Sequence, residues 1–387
     1  MDGDGTGFTL RVAPKLAALD AASWDACAGP DNPFVSYAFL SALEESGSAA
    51  ARTGWQPQHL TLADGAGRIV GCAPLYLKSH SHGEYVFDHG WADAYERAGG
   101  RYYPKLQCAV PFSPVPGPRI LLHPLAPPDS MELMLGGMVE LARQTKVSSL
   151  HITFPTQAQW RACGEAGLLQ RIGEQFHWEN HGYKDFEDFL GALNSRKRKT
   201  IRKERREALA GGLEIRTLTG AEITPRHWDA FFRFYQSTSD RKWGSPYLTR
   251  RFFDLLGERL GDRVVLVMAE HHGEPVAGAL NLRGTDTLYG RNWGAVGDFK
   301  FLHFEACYYR AIDYAIAHGL ARVEAGAQGT HKIQRGYLPS ETYSAHWIRD
   351  PGFSAAVKHF LQRETPAIRA QMAELETLSP FRHEDGE

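Results

Sequence analysis

A faint internal repeat at a spacing near 204 residues constrains this 387-residue chain more than any other feature. Leu10-Arg11-Val12 opens a strand-like run and Trp24-Asp25-Ala26 follows in a helical one; Ile215-Arg216-Thr217 and Trp228-Asp229-Ala230 repeat that order at offsets of 205 and 204. Gly67-x-x-Val70-Gly71-x-Ala73 answers Gly273-x-x-Val276-Ala277-x-Ala279 at 206, each as the return strand of a hairpin. Phe87-Asp88-His89-Gly90-Trp91 reads as the next strand, matched by Tyr289-Gly290-Arg291-Asn292-Trp293 with the two tryptophans 202 apart. Several matches that keep one offset and one order point to a duplicated domain, and the length suits two.

After each hairpin comes a helix and then a strand. Phe304, Tyr308, Ala311, Ile312 and Ala315 recur at helical spacing, Gly319 is the stop, and Ala321 to Ala325 is the strand. In the first half Asp129 or Ser130 caps a helix to about Lys146, Ser148 to Phe154 is its strand, and Gly167 to Arg171 with Gln175 to Trp178 reads as a closing hairpin. Strand, helices, three-strand meander, helix, strand and terminal hairpin is the order of the GNAT acyltransferase fold. The expectation is an α/β (α+β) protein of two tandem GNAT-like domains, each a mixed twisted sheet flanked by helices: 1–190, a basic linker helix over 191–212, and 213–387.

Apolar residues at 43% and charged residues at 23% are those of an ordinary globular protein. No apolar run approaches the roughly 20 residues of a membrane span; Val264 to Ala269 is typical. The first residues lack the basic and apolar regions of a secretory signal, and the five cysteines are odd in number and scattered, without C-x-x-C. A cytoplasmic protein without transmembrane segment, disulfide or metal is expected. With 43 basic against 45 acidic residues the net charge is -2, so DNA or general nucleic-acid coating is not expected and any polyanion must meet a local patch.

Arg196 to Arg206 supplies such a patch: it reads RKRKTIRKERR, eight basic residues in eleven. Ser195 as N-cap and Gly211-Gly212 as stop make it a solvent-facing helix. Arg196, Lys197, Arg198, Lys199, Arg202 and Lys203 then form either a merely solvated face or a phosphate-binding surface. Asn194 to Lys203, ending in Gly211-Gly212-Leu213, resembles the segment that opens the second GNAT domain of the FemABX peptidyltransferases. FDHGWADAY (87–95), QCAVPFSPVPGPR (107–119), HFEACYY (303–309) and GAQGTHKIQRGYLP (326–339) together resemble the FemAB-like family of N-acyltransferases over nearly the whole chain. The resemblance implies amide-forming acyl transfer, and aminoacyl-tRNA is the donor that FemABX proteins use.

An acetyl-CoA-dependent GNAT carries [QR]-x-x-G-x-[GA] between the fourth strand and its helix, where amides grip pyrophosphate. Here that junction reads GAVGDFKFLHFEA: Asp298 would face a diphosphate, and Phe299, Phe301 and Phe304 replace the glycines that allow close approach. The donor therefore leans to aminoacyl-tRNA, with acyl-CoA as the alternative. A non-catalytic tandem module binding RNA or an envelope precursor is the reading from another class. No resident cofactor is called for: the acyl donor is a co-substrate, and the acceptor is an amine of a small or peptide-like molecule.

Amine acylation needs a base for the amine proton and donors for the oxyanion. With no G-x-S-x-G or H-E-x-x-H in the chain, the best polar clusters are Asp88-His89 and His331-Lys332. The FemABX resemblance matches Lys332 and Gly336-Tyr337 to a Lys followed by an aromatic-Gly, which implies Lys332 as the group that stabilises an oxyanion or holds an acceptor anion. His331 is the base candidate, with Asp88 and Glu305 after it; each also has a structural reading, as surface lysine, packed histidine or carboxylate at a helix start. Substrate contacts are expected from His89, Trp91, Tyr95, Tyr102, Tyr103, Trp243, Arg291, Asn292, Trp293, Gln328 and Arg335, the aromatic ones as cleft lining or as core. Seven prolines between Cys108 and Pro128 make a stiff segment that either walls the cleft or only links.

Overall fold

Alternating and fully apolar runs such as VVLVMAEH become strands wherever glycine or proline breaks them, and the computed structural model places them as follows. In chain order they are β1 (Thr9–Ala13), β2 (Trp55–Pro57), β3 (His59–Ala63), β4 (Ile69–Ala73), β5 (Leu75–Lys78), β6 (Lys105–Cys108), β7 (Leu121–Leu122), β8 (Ser149–Thr153), β9 (Leu169–Glu179), β10 (Leu213–Thr219), β11 (Val264–His271), β12 (Glu274–Arg283), β13 (Thr287–Ala295), β14 (Arg322–Glu324) and β15 (Leu338–Ile348). The described residues are 7–242, 246–326 and 329–382, so Trp243 and Gln328 lie outside them.

Two compact units emerge, residues 1–173 with 341–369 and residues 174–340 with 370–387. They do not follow the sequential split expected around 191–212, and the reason is hydrogen bonding. The end of β9 pairs with β14 (Glu179↔Arg322), and the end of β15 pairs with β8 (Ile348↔Ser149). The basic helix lies inside the second unit.

In the second unit β10, β11, β12 and β13 form an antiparallel meander, β14 joins β13 in parallel, and β9 closes antiparallel. The helices Pro225–Lys242 and Arg250–Leu260 bring Phe231, Phe234 and Phe253 to the buried side. Gly294 is needed for that packing, since a Cβ there would collide with the Phe234 backbone. The helical stretch from Leu302 to Ala317 contains a π-helical turn over Glu305–Tyr309 and buries Tyr308, Tyr309, Ile312 and Ala315 in one core with Trp178, Phe189 and Val323.

The first unit repeats the plan with breaks. β1, β3 and β4 form a meander joined by β7, while β2, β5 and β6 run antiparallel; the breaks fall at Gln58 and Pro74. β8 then joins β6 in parallel and β15 closes antiparallel. An antiparallel meander followed by a parallel pair is the GNAT-like order expected.

Three local expectations need correction. Residues 87–91 are not a strand: His89–Arg97 is a helix, and the strand that corresponds to β13 in the first unit is β6, which pairs β8 in parallel as β13 pairs β14. Trp91 and Tyr95, four residues apart, reach the core of Tyr102, Ile348, Val357 and Leu361 from one helical face, a period the short run concealed. Residues 167–178 form no hairpin but enter one continuous strand, β9. Asn194, not Ser195, caps the basic helix, its side chain accepting from the Lys197 amide at 3.0 Å.

Candidate active site

The parallel pair of the second unit ends unevenly. β14 stops at Glu324 while β13 continues to Ala295, so beyond the Tyr289↔Glu324 pair the edge of β13 loses that strand neighbour. The register against β12 also shifts, Leu280 facing Asn292 and Asn281 facing Gly290, which leaves Arg291 as the extra residue of a bulge. Gly290 permits the close approach, for a Cβ would sit 3.2 Å from the Glu324 carbonyl oxygen. Carboxyl ends of parallel strands that part in this way are the usual ligand crevice of an α/β sheet.

Beyond β14 the chain turns through the short helix Thr330–Arg335 between Gly329 and Gly336, both at positive φ. Lys332 is 4% exposed, and its Nζ donates to the carbonyls of Ala325 at 2.7 Å and Gly326 at 2.9 Å. Two of its three donors thus hold the chain at the end of β14, and the third has no hydrogen-bond partner among the described residues. Burial brings its pKa down to about 8. His331 is exposed, with Nε2 2.9 Å from the Tyr308 hydroxyl. Burial, and then the charges of Arg335 and Lys332, hold the His331 ring below its ordinary pKa, so it is neutral at pH 7. Trp293 packs edge-on to His303 at 5.3 Å, His303 to Tyr308 at 5.3 Å, and Phe304 lies 5.7 Å from His331. A neutral imidazole and a phenol therefore meet beside aromatic walls, and the neighbouring Lys332 points its ammonium to the Ala325 and Gly326 carbonyls.

Two expected site residues serve the scaffold. Arg335 is 7% exposed; its Nη2 donates to both oxygens of Glu204 at 2.8 and 2.9 Å, its Nη1 to the His331 carbonyl at 2.7 Å, and its guanidinium lies 3.4 Å over Phe304. It fixes the His331 turn rather than facing a substrate. Glu305 is fully buried and held by Arg205 at 3.0 and 3.1 Å and by Arg310 at 3.0 Å, so its charge is matched within the fold and no proton-transfer role fits.

The basic helix Ser195–Ala208 buries Ile201, Glu204 and Ala208. Arg205 turns inward to Glu305 and Asp313, Arg202 pairs with Glu187 at 2.5 Å, and Lys203 with Glu207 at 3.6 Å. Lys197 is half-buried, and burial with Arg196 and Arg335 lowers its pKa. Arg196, Arg198, Lys199 and Arg206 have no ion pair among the described residues.

The first-unit candidates form a buried ionic cluster. Lys105 Nζ donates to Ser81 at 2.8 Å, Glu84 at 2.7 Å and Asp88 at 2.5 Å, and Tyr102 donates to Asp88 at 2.7 Å. Burial pushes the Asp88 carboxyl up, but Lys105 outweighs it and holds the group well below the usual carboxylate range; an ionised partner 2% exposed cannot serve as a base. Tyr103 bonds Ser81, Tyr95 stacks on Phe353 at 4.6 Å, Trp91 is in the core, and only His89 is exposed. Trp293 belongs to the second unit, where it packs against His303. Tyr308, His303 and Glu204 were not among the expected site residues; Tyr308 was read as part of a helical core period, and His303 stood only inside HFEACYY, a segment that carried the family resemblance.

The FemAB-like family, described as peptidoglycan biosynthesis and recognition, matches residues 15–383. The chain belongs to it. Among solved structures FemX is similar at 12% identity with a TM-score of 0.55, covering 88% of this chain and 98% of FemX. The C-terminal domain of a putative lysylphosphatidylglycerol synthetase from Agrobacterium fabrum gives 11% and 0.56, covering 89% and 96%. L-PGS from Bacillus licheniformis gives 10% and 0.51, covering 86% and 98%. At these identities the likeness is one of fold. No curated protein sequence matches the chain. No helix among the described residues is long and apolar enough to cross a membrane.

Proposed function

We propose that the His331 turn of this FemAB-like chain transfers an aminoacyl group from aminoacyl-tRNA to an amine of a small or peptide-like acceptor. The observation that carries the reading is the exposed His331 ring, hydrogen-bonded to Tyr308 and adjacent to Lys332, at the end of β14. The amine nitrogen attacks the ester carbonyl of the donor, His331 takes the amine proton, and the C–O bond to the tRNA ribose breaks as the amide C–N bond forms, the ribose oxygen leaving as a hydroxyl with the proton that His331 returns. Tyr308, whose pKa burial raises, stays protonated and orients the ring. The remaining N–H of Lys332 faces the developing oxyanion. Arg291, Asn292 and Trp293 on the bulged end of β13 are the acceptor contacts in this reading.

The donor preference rests on charge. Arg196, Arg198, Lys199 and Arg206 are the unpaired part of the basic helix, while Phe299 packs into the core of Leu213 and Ala277 and Phe304 carries Arg335, so neither leaves glycine-like room for a diphosphate. Incubation with acyl-CoA and charged-tRNA donors and a panel of amines, read by intact mass, tests it. Amide product from charged tRNA alone is expected; product from acyl-CoA alone moves the donor assignment, and tight salt-dependent RNA binding without product makes the protein a binding module.

A further inference from the structure

We propose that the groove between β1 and the helix Ser130–Gln144 in the first unit docks an extended peptide with basic flanks, which adds a strand to β1. β1 stands at the end of the order β1-β3-β4-β7, so one edge of it has no strand partner among the described residues. Leu10 and Val12, on one face of that strand, are 38% and 40% exposed, unusual for large apolar side chains on a free edge. They, with Leu60 below and Leu133 and Leu141 on the helix, border a groove of about 720 Å³.

The helix side of the groove contains Gly136-Gly137, two glycines in a mid-helix position where glycine weakens the helix. Leu10 explains Gly137, because a Cβ there would come 2.5 Å from its Cδ1. Nothing among the described residues explains Gly136: an added Cβ would meet none of their atoms within 4 Å. Its small size keeps the groove open without serving the packing of this unit.

The rim fixes the kind of occupant. Asp129, Glu132 and Glu140 line it and no basic residue among the described ones does; Arg143, 60% exposed, pairs with Glu140 at 3.7 Å from outside the lining. A second copy paired strand to strand about the centre of β1 would oppose Arg11 to Arg11, an unfavourable like-charge pair. An extended segment with apolar residues at every second position and Lys or Arg flanks satisfies the ladder, the floor and the rim together.

A display library of short random peptides panned on the full chain, with Gly136→Gln protein as the counter-target, tests the proposal. Enriched sequences should alternate apolar residues and carry excess Lys and Arg. An enriched peptide should bind Gly136→Gln at least ~10-fold more weakly by fluorescence anisotropy, and wild type more weakly as salt rises. The melting temperature of Gly136→Gln should be unchanged or higher, because Gln is the better helix former and the site is open. Equal affinity for Gly136→Gln, absence of enrichment, or enriched sequences without alternation would overturn the proposal. So would sedimentation showing a wild-type dimer that Gly136→Gln converts to monomer, for then the occupant is a second copy.

Discussion

The two units lay down the same order of strands and then treat the end of the parallel pair in opposite ways. In the first, residues 109–119 run from the end of β6 to the end of β8, with 109–115 all buried. Arg119, fully buried, ties that segment down through Thr153 O at 2.8 Å, Val115 O at 2.6 Å, and Gly117 O and Pro118 O at 3.2 Å, while Gln159 accepts from its amide at 2.8 Å. The Pro-rich segment is neither linker nor cleft wall: it closes the strand ends with the unit's own chain. In the second, the corresponding ends are met by the His331 turn, where an exposed imidazole and a lysine with one uncommitted donor remain. Equal topology therefore does not mean equal chemistry, and the proposed reaction is assigned to the second unit's edge.

The largest expected effect falls on that edge. Lys332→Met should lower kcat and kcat/KM together by about 10² to 10³, the usual loss for one oxyanion donor. A rise in KM alone would make Lys332 an anchor for an acceptor anion instead. The pH profile sharpens the same point. Activity should rise with pH through the lowered His331 value, below 6.5, because the base must be neutral, and fall above about 8 as Lys332 loses its proton. Lys332→Met should abolish the alkaline limb and, with that positive charge gone, move the acidic limb to higher pH.

Arg119→Ala should act in the reverse manner. Several buried carbonyls would lose their donor, a stability loss of about 2–3 kcal/mol by denaturant titration, with transfer per folded molecule within ~3-fold of wild type. A rate loss without a stability loss would give the first unit a chemical role. Glu204→Gln keeps shape but weakens the grip on Arg335, so a rate loss of roughly 10-fold is expected with a shifted acidic limb, because the Arg335 charge is then less compensated near His331. The smallest change in stability is expected when Arg196, Lys197, Arg198, Lys199, Arg202 and Lys203 become Gln: the melting temperature should hold, since exposed pairs contribute about 0–1 kcal/mol, while tRNA affinity and its salt dependence fall.

Much of this contrast was legible beforehand. Leu10-Val12, Val70-Ala73, Ser148-Phe154 and Ala321-Ala325 read as strands from their place in the repeated order and their β-branched or apolar centres, and strands lie there. His331-Lys332 was found from its place after a strand and from a family resemblance. Arg119 was not legible, since an arginine buried through backbone carbonyls leaves no charge partner in the sequence. Lys105 and Glu84 were hidden for a related reason: their pairing spans 21 residues of loop and helix. The exchange of β9 and β15 between the units was equally invisible, because a strand's pattern states which face is buried, not which strand lies beside it.

His331 is where the two units differ most in chemistry, so its replacement is the most direct test. Single-turnover transfer by His331→Phe, with donor saturating and Tyr308 intact, should fall at least ~10²-fold at pH 7.5 with an unchanged melting temperature, the loss usual for a general base. A rate within about threefold of wild type would contradict the assignment of the reaction to the second unit's His331 turn.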